Sequence, residues 1–176
     1  MLLVRHGESA WNVVFGELRI DTGIADPELT ATGREQAQSA AAQLAGQGVE
    51  RLLASPYRRT LETASIIADT LGLDIEVEPL VRERCAFSCD QGSPPELLRR
   101  RWPSLDFTGL EPDWWGRRIE SVDALQLRAT EFIRRAALDP ARERTAVVSH
   151  WGFILAATGR SVDNADIVRL PEAVPL

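Results

Sequence analysis

The chain has 176 residues, 44% of them hydrophobic, which suits one globular domain with a substantial core. Its 26 acidic side chains outnumber its 20 basic ones, for a net charge of −6, which argues against a broad phosphate-tracking surface and so against nucleic acid as a partner. The two cysteines, Cys85 and Cys89, fall short of the four ligands of a structural zinc site, and no apolar run is long enough to span a bilayer. A reduced, cytoplasmic setting without a membrane partner is expected, and the first motif follows Met1 too closely for a secretory leader.

Leu2 to Val4 form a short apolar run that reads as a buried strand delivering Arg5-His6-Gly7 at its C-terminal end. Thr32-Gly33-Arg34-Glu35 has the T-x-x-E form of a capping box and is expected to open a helix that runs to about Gly46 or Gly48. Val49 to Ala54 give a second strand, followed by Ser55-Pro56 and a helix from Tyr57 to Leu71 that Gly72 stops. Asp74 to Val77 and Arg144 to Ser149 read as further strands. Between them a helix from about Ser121 to Leu138 places Val122, Leu125, Ala129, Phe132, Ile133 and Ala136 on one face. Strands alternating with helices predict a three-layer α/β/α domain with a mainly parallel sheet. The pattern fails between Cys85 and Glu120, where prolines and glycines crowd together, and residues 85–120 are expected to form a short, partly helical lid on the domain 1–176. Trp102 is expected to pack that lid, while Trp114 and Trp115 fit either packing or a substrate cleft.

Arg5-His6-Gly7-Glu8-Ser9-Ala10-Trp11-Asn12 gathers a cation, an imidazole and an amide donor in one strand-to-loop turn, a set suited to a phosphate dianion. Gly7 would let the backbone approach that anion closely. The chain's second histidine, His150, follows the apolar run Thr145 to Ser149 in the same way, so both imidazoles project from strand ends that a parallel sheet aligns along one edge. A third strand end leads to Arg58 and Arg59. Consecutive helical residues diverge by about 100°, so only one of the two guanidinium groups can face a shared pocket, and periodicity does not choose between them.

Taken in order, R-H-G-E-x-x-x-N from Arg5, S-P-x-x-R-x-x-x-T-A from Ser55, a Glu after the third strand and S-H-x-G from Ser149 resemble the histidine phosphatase (phosphoglycerate mutase-like) superfamily. Leu29 to Ala37 also resembles that family's helix opening. The resemblance selects Arg59 over Arg58 and implies a metal-independent, cofactor-free phosphate-transfer enzyme acting on a small phosphorylated metabolite. It implies that His6 accepts the phosphoryl group as nucleophile, while Arg5, Arg59, His150 and Asn12 hold its oxygens. Glu83 matches the family's proton donor, which would require a raised pKa, and the backbone amide of Trp151 is a further oxyanion contact.

Phosphoglycerate mutases carry Glu-Arg-His-Tyr-Gly where this chain has Glu83-Arg84-Cys85-Ala86-Phe87. The lid cations are Arg99, Arg100, Arg101, Arg117 and Arg118. A phosphatase is therefore expected ahead of a mutase, with an inactive phospho-ligand binding domain as the reading from another class. Substrate identity and oligomeric state are not legible in the sequence.

Overall fold

The computed structural model describes residues 1–116 and 118–172. Its strands are β1 (Leu2–Arg5), β2 (Arg51–Ala54), β3 (Ile75–Val77), β4 (Thr145–Ser149) and β5 (Ile167–Arg169), forming one sheet in the order β3-β2-β4-β1-β5. The first four run parallel, and β5 lies antiparallel against β1. The α-helices among the described residues are α1 (Ala10–Leu18), α2 (Ala31–Ala45), α3 (Arg58–Leu71), α4 (Pro95–Arg101), α5 (Val122–Ala137) and α6 (Trp151–Thr158). None is long and apolar enough to cross a membrane.

Strand alternation divides the apolar residues between two cores, since successive side chains point to opposite faces. Leu2, Val4, Leu52, Ala54, Ala146 and Val148 face a cluster built with α2 and α3, while Leu3, Leu53 and Val147 face one built with α5 and α6. The result is the single α/β domain with helices on both faces that the sequence led one to expect. The register sets Arg5 opposite Ser149 and Ala54 opposite Val148, so β1, β4 and β2 end together and deliver His6, His150 and Ser55 to one edge.

The entry to α2 differs from expectation. Thr30, not Thr32, is the N-cap: its Oγ1 accepts from the Gly33 amide at 2.9 Å, while Thr32 lies inside the helix. Tertiary contact makes the choice between two threonines that local sequence cannot separate. Thr30 Oγ1 donates to the Glu8 carboxylate at 2.7 Å, and the Thr30 amide donates to the Glu8 carbonyl at 2.9 Å. The start of α2 is thereby fastened to the loop after His6.

Two glycines make that junction. A Cβ on Gly7 would lie 2.2 Å from the Gly33 carbonyl oxygen, and one on Gly33 would lie 2.0 Å from that of Glu8. Gly7 therefore serves backbone-to-backbone packing, and its amide donates to Thr63 Oγ1 at 3.1 Å instead of meeting an anion. Backbone atoms cannot swing aside, so Gly33→Ala is expected to cost about 3 kcal/mol. Thermal denaturation should show a Tm lower by roughly 6–12 °C.

Residues 85–120 serve two purposes. Leu98, Phe107 and Trp114 are buried in the α2/α3 core, so this part is structural covering. Trp114 donates to the Ser93 carbonyl at 3.0 Å and meets Tyr57 edge-on at 4.6 Å, which settles it on packing, while Trp115 meets Trp114 edge-on and also lines a second hollow beside Phe87 and Arg118. Trp102 packs too, with its indole donating to Ser65. The residues just after Glu83 instead wall the hollow described below. Arg117 lies outside the described residues.

On α5, Val122 is 62% exposed, contrary to the expected apolar face, whereas Arg128 is buried. Val122 stands at the first helical position, beyond the edge of the core it was expected to join. The other expected residues of that face are buried.

Candidate active site

At the C-terminal edge of the sheet lies a hollow of about 410 Å³. Six of the residues singled out in the sequence line it: Arg5, His6, Asn12, Arg59, Glu83 and Trp151. His150 does not form part of the wall. It stands behind His6, fully buried, with the two rings 5.3 Å apart and edge-on.

His6 Nδ1 lies 2.7 Å from the Gly7 carbonyl oxygen. A carbonyl only accepts, so Nδ1 carries the proton and Nε2 keeps its lone pair. Burial, and then the neighbouring Arg59 and Arg5 cations, hold the His6 pKa well below its ordinary value, so the ring is neutral at pH 7. A neutral imidazole with its free lone pair at Nε2, flanked by fixed positive charge, is competent to attack an electrophilic anion.

His150 Nε2 sits 2.8 Å from Ser55 Oγ, while its Nδ1 is buried without a partner among the described residues. Arg5 Nε is likewise buried and unpartnered, although Nη1 of the same side chain donates to the Val162 carbonyl at 2.9 Å. Orphaned buried polar atoms are costly and rare, and these two belong to neighbours of His6.

Arg59 projects from the first turn of α3. It donates to the Cys89 carbonyl at 2.7 Å and to Asp90 at 3.3 Å, and lies 4.4 Å from the centre of the Tyr57 ring. Arg58 turns away to pair with Glu28 and with Glu62, as the 100° divergence requires. Asn12 Oδ1 accepts from the Ser9 amide at 3.0 Å in the capping box of α1 and lies 3.5 Å from Asn164 Nδ2, which leaves its own Nδ2 as the unused donor.

Glu83 is not paired with Arg82 or Arg84 through their guanidinium groups. Its Oε1 accepts from the Arg84 amide at 2.8 Å and its Oε2 from the Gly152 amide at 3.1 Å, at the start of α6. Burial raises its pKa, the Asp90 charge adds to this, and the two amides and Arg59 oppose it. The last position of S-H-x-G acquires a physical reason here, because a Cβ on Gly152 would fall 2.4 Å from Glu83 Oε1. The Trp151 indole donates to Ser161 at 3.0 Å.

Among the described residues, no three His, Cys, Asp or Glu side chains are grouped to hold a metal ion. Both cysteines are free, and burial pushes the Cys89 thiol well up, which makes it a poor nucleophile.

The family model for the histidine phosphatase superfamily (branch 1) matches residues 1–171. The chain belongs to the histidine phosphatase superfamily. Among its relatives, the probable phosphoglycerate mutase GpmB of Enterobacter sp. (strain 638) is 34% identical over 160 residues, covering 84% of this chain and 67% of that protein. Two solved structures share the fold. The native mycobacterial glucosyl-3-phosphoglycerate phosphatase has a TM-score of 0.65 at 21% identity over 95% of this chain and 87% of that one. The phosphoserine phosphatase of Entamoeba histolytica in complex with phosphoserine has the same score and identity over 94% and 87%.

Several residues that shape this candidate site stand outside the sequence motifs. Arg128 of α5 reaches the carbonyls of Leu80 and Arg82 at 2.7 Å each and the Glu120 carboxylate at 2.6 Å, pinning the strand-to-loop segment that carries Glu83. Its signal was available: a lone arginine among the apolar positions of one helix face. Asp90, which holds Arg59 and also accepts from the Ala86 and Phe87 amides, gave no such signal. Nor did Arg19 and Arg84, which stand on the wall of the hollow where Arg99, Arg100, Arg101 and Arg118 do not. Arg99 is spent on the Phe107 carbonyl and Arg101 on Glu62.

Proposed function

We propose that this chain is a phosphatase that hydrolyses phosphomonoesters through a phosphohistidine intermediate on His6. The observation that carries the reading is the fixed tautomer of His6, whose Nδ1 proton is held by Gly7 so that Nε2 is free in a cation-flanked hollow. In the first step, Nε2 bonds to phosphorus as the ester P–O bond breaks, and Glu83 gives its proton to the departing alkoxide oxygen. In the second, the Glu83 carboxylate takes a proton from water, whose oxygen bonds to phosphorus and releases His6. Arg5, Arg59, the Nδ2 of Asn12 and the Trp151 amide hold the phosphoryl oxygens as charge redistributes, with His150 buried behind His6.

Incubation with p-nitrophenyl phosphate from mildly acidic to neutral pH, with and without EDTA, tests the reading. Turnover that resists EDTA is expected. Inhibition by EDTA would point to a metal enzyme, and no turnover across the range to a phospho-ligand binding domain. The name of the relatives, together with Arg19 and Arg84 on the wall, favours a mutase as the second reading. Supplying 3-phosphoglycerate with a bisphosphoglycerate primer separates the two: slow or absent formation of the 2-isomer is expected, and rapid isomerisation would reverse the ranking.

The contact between Gly152 and Glu83 supplies a separate prediction. Gly152→Ala would push the carboxyl from its seat on α6, and kcat for an alkyl phosphate is expected to fall roughly a hundredfold. Unchanged steady-state kinetics in a folded Gly152→Ala protein would remove Glu83 from the proposed chemistry.

A further inference from the structure

A phosphoryl group fills only a fraction of the hollow, whose volume of about 410 Å³ falls within the roughly 300–1,000 Å³ of sites for whole small molecules. Beyond the polar groups its wall is aromatic. Trp11 and Phe15 stack at 4.3 Å, and Phe87 closes on them at 5.3 and 5.4 Å. Trp151 contributes a fourth ring, from the start of α6.

These rings belong to neither hydrophobic core. Helix α1 carries Trp11, Val13, Val14, Phe15 and Leu18, yet none of its residues is buried. Phe87 and Trp151 are 46% and 44% exposed. Grouped, half-open aromatic surface is costly in water unless something covers it. The wall is also held in shape. Asp21 accepts from the Trp11 indole at 3.4 Å and from the Ser88 amide at 2.7 Å, and its carboxylate meets the Ser88 hydroxyl as well, so one side chain ties α1 to the segment bearing Phe87.

We infer that the hollow takes phosphomonoesters whose leaving alcohol carries an aromatic ring, seated among Trp11, Phe15, Phe87 and Trp151. This inference rests on the phosphatase reading for its chemistry but concerns the leaving-group subsite. Besides Arg5 and Arg59, the wall carries Arg19 and Arg84, each already engaged in part. Arg19 lies over the Phe15 ring at 5.9 Å, and Arg84 spends its Nε on the Glu120 carbonyl. A planar ring would gain offset or edge-on contacts with the wall and displace water from it.

Two measurements on the intact protein decide the matter. The first compares 2-phenylethyl phosphate with ethyl phosphate, whose alcohols are of similar acidity, so leaving-group chemistry cancels. A kcat/KM preference of roughly tenfold or more for the aromatic ester is expected. Phe87→Ala and Trp151→Ala, with folding checked by circular dichroism, should each shrink that preference severalfold. Equal kcat/KM for the two esters, or a higher value for 3-phosphoglycerate than for 2-phenylethyl phosphate, would overturn the inference while leaving the phosphatase reading intact. The second measurement is calorimetric binding of benzylphosphonate against methylphosphonate, neither of which can be hydrolysed. At least tenfold tighter binding of benzylphosphonate is expected even if no ester turns over, and equal affinities would sink the subsite independently of catalysis.

Discussion

His6→Ala is expected to lower kcat for p-nitrophenyl phosphate by on the order of 10⁴-fold, because a methyl group offers no lone pair to phosphorus. The other anion-holding groups would remain, so phosphate should still bind the variant. The accompanying observation is direct. Wild-type protein mixed with labelled substrate and quenched in alkaline denaturant should retain an acid-labile phosphoryl group, and His6→Ala should retain none. Label surviving in the variant, or turnover within tenfold of wild type, would place the nucleophile elsewhere. The structure also bears on pH here. With its pKa well below 6.5, His6 needs no deprotonation near neutrality, and its acidic limb should lie far to the acid side of an ordinary histidine.

Glu83→Gln should separate the two halves of the reaction. An amide cannot give a proton to an alkoxide, so kcat for ethyl phosphate is expected to fall about 10³-fold. p-Nitrophenolate leaves with little assistance, and the first step should survive better with that ester. Hydrolysis of the intermediate would still lack its base, so a burst of nitrophenolate followed by slow turnover is the expected trace. The sign of the pH effect follows from the raised pKa of the carboxyl. The reactive form for the first step is protonated, so kcat/KM declines as pH rises through that elevated value. Glu83→Gln removes the titrating group, and the alkaline limb should vanish with it. A limb persisting at the same pH would assign it to another group. The surroundings suit a carboxyl that must both give and take a proton: burial and Asp90 favour the acid, while the amides of Arg84 and Gly152 favour the carboxylate.

The parts of this site that could be read from sequence are those where one contiguous stretch encodes both an apolar strand and the polar residue at its end. Val4-Arg5-His6 and Val148-Ser149-His150 are such stretches, and parallel pairing of β1 with β4 brings them together. Periodicity could not choose between Arg58 and Arg59, although the motif spacing could, and the structure turns Arg59 to the hollow. Other features depend on contacts that sequence does not display. Thr30 displaces Thr32 as a cap because Glu8 reaches it. Strand β5 has only three residues, too few for a period, and depends on β1 for its register. Helix α6 is apolar nearly all round and so shows no face. Helix α1 was overlooked because Trp11 and Asn12 were read as part of a binding motif. Once a helix is granted there, the four-residue spacing of Trp11 and Phe15 puts them on one side, where they are found stacked. The ring of Phe87 joins them only through the fold, from a segment with no recognisable pattern.

With no buried residue in α1, the proposed aromatic subsite is built apart from the two cores. Exchanges at Trp11, Phe15, Phe87 and Trp151 would re-cut the mouth of the hollow while both cores stay as they are, since none of the four belongs to either. A library confined to those four positions can therefore explore new alcohols without opening either core, a freedom that positions such as Gly33 or Ala146 do not offer.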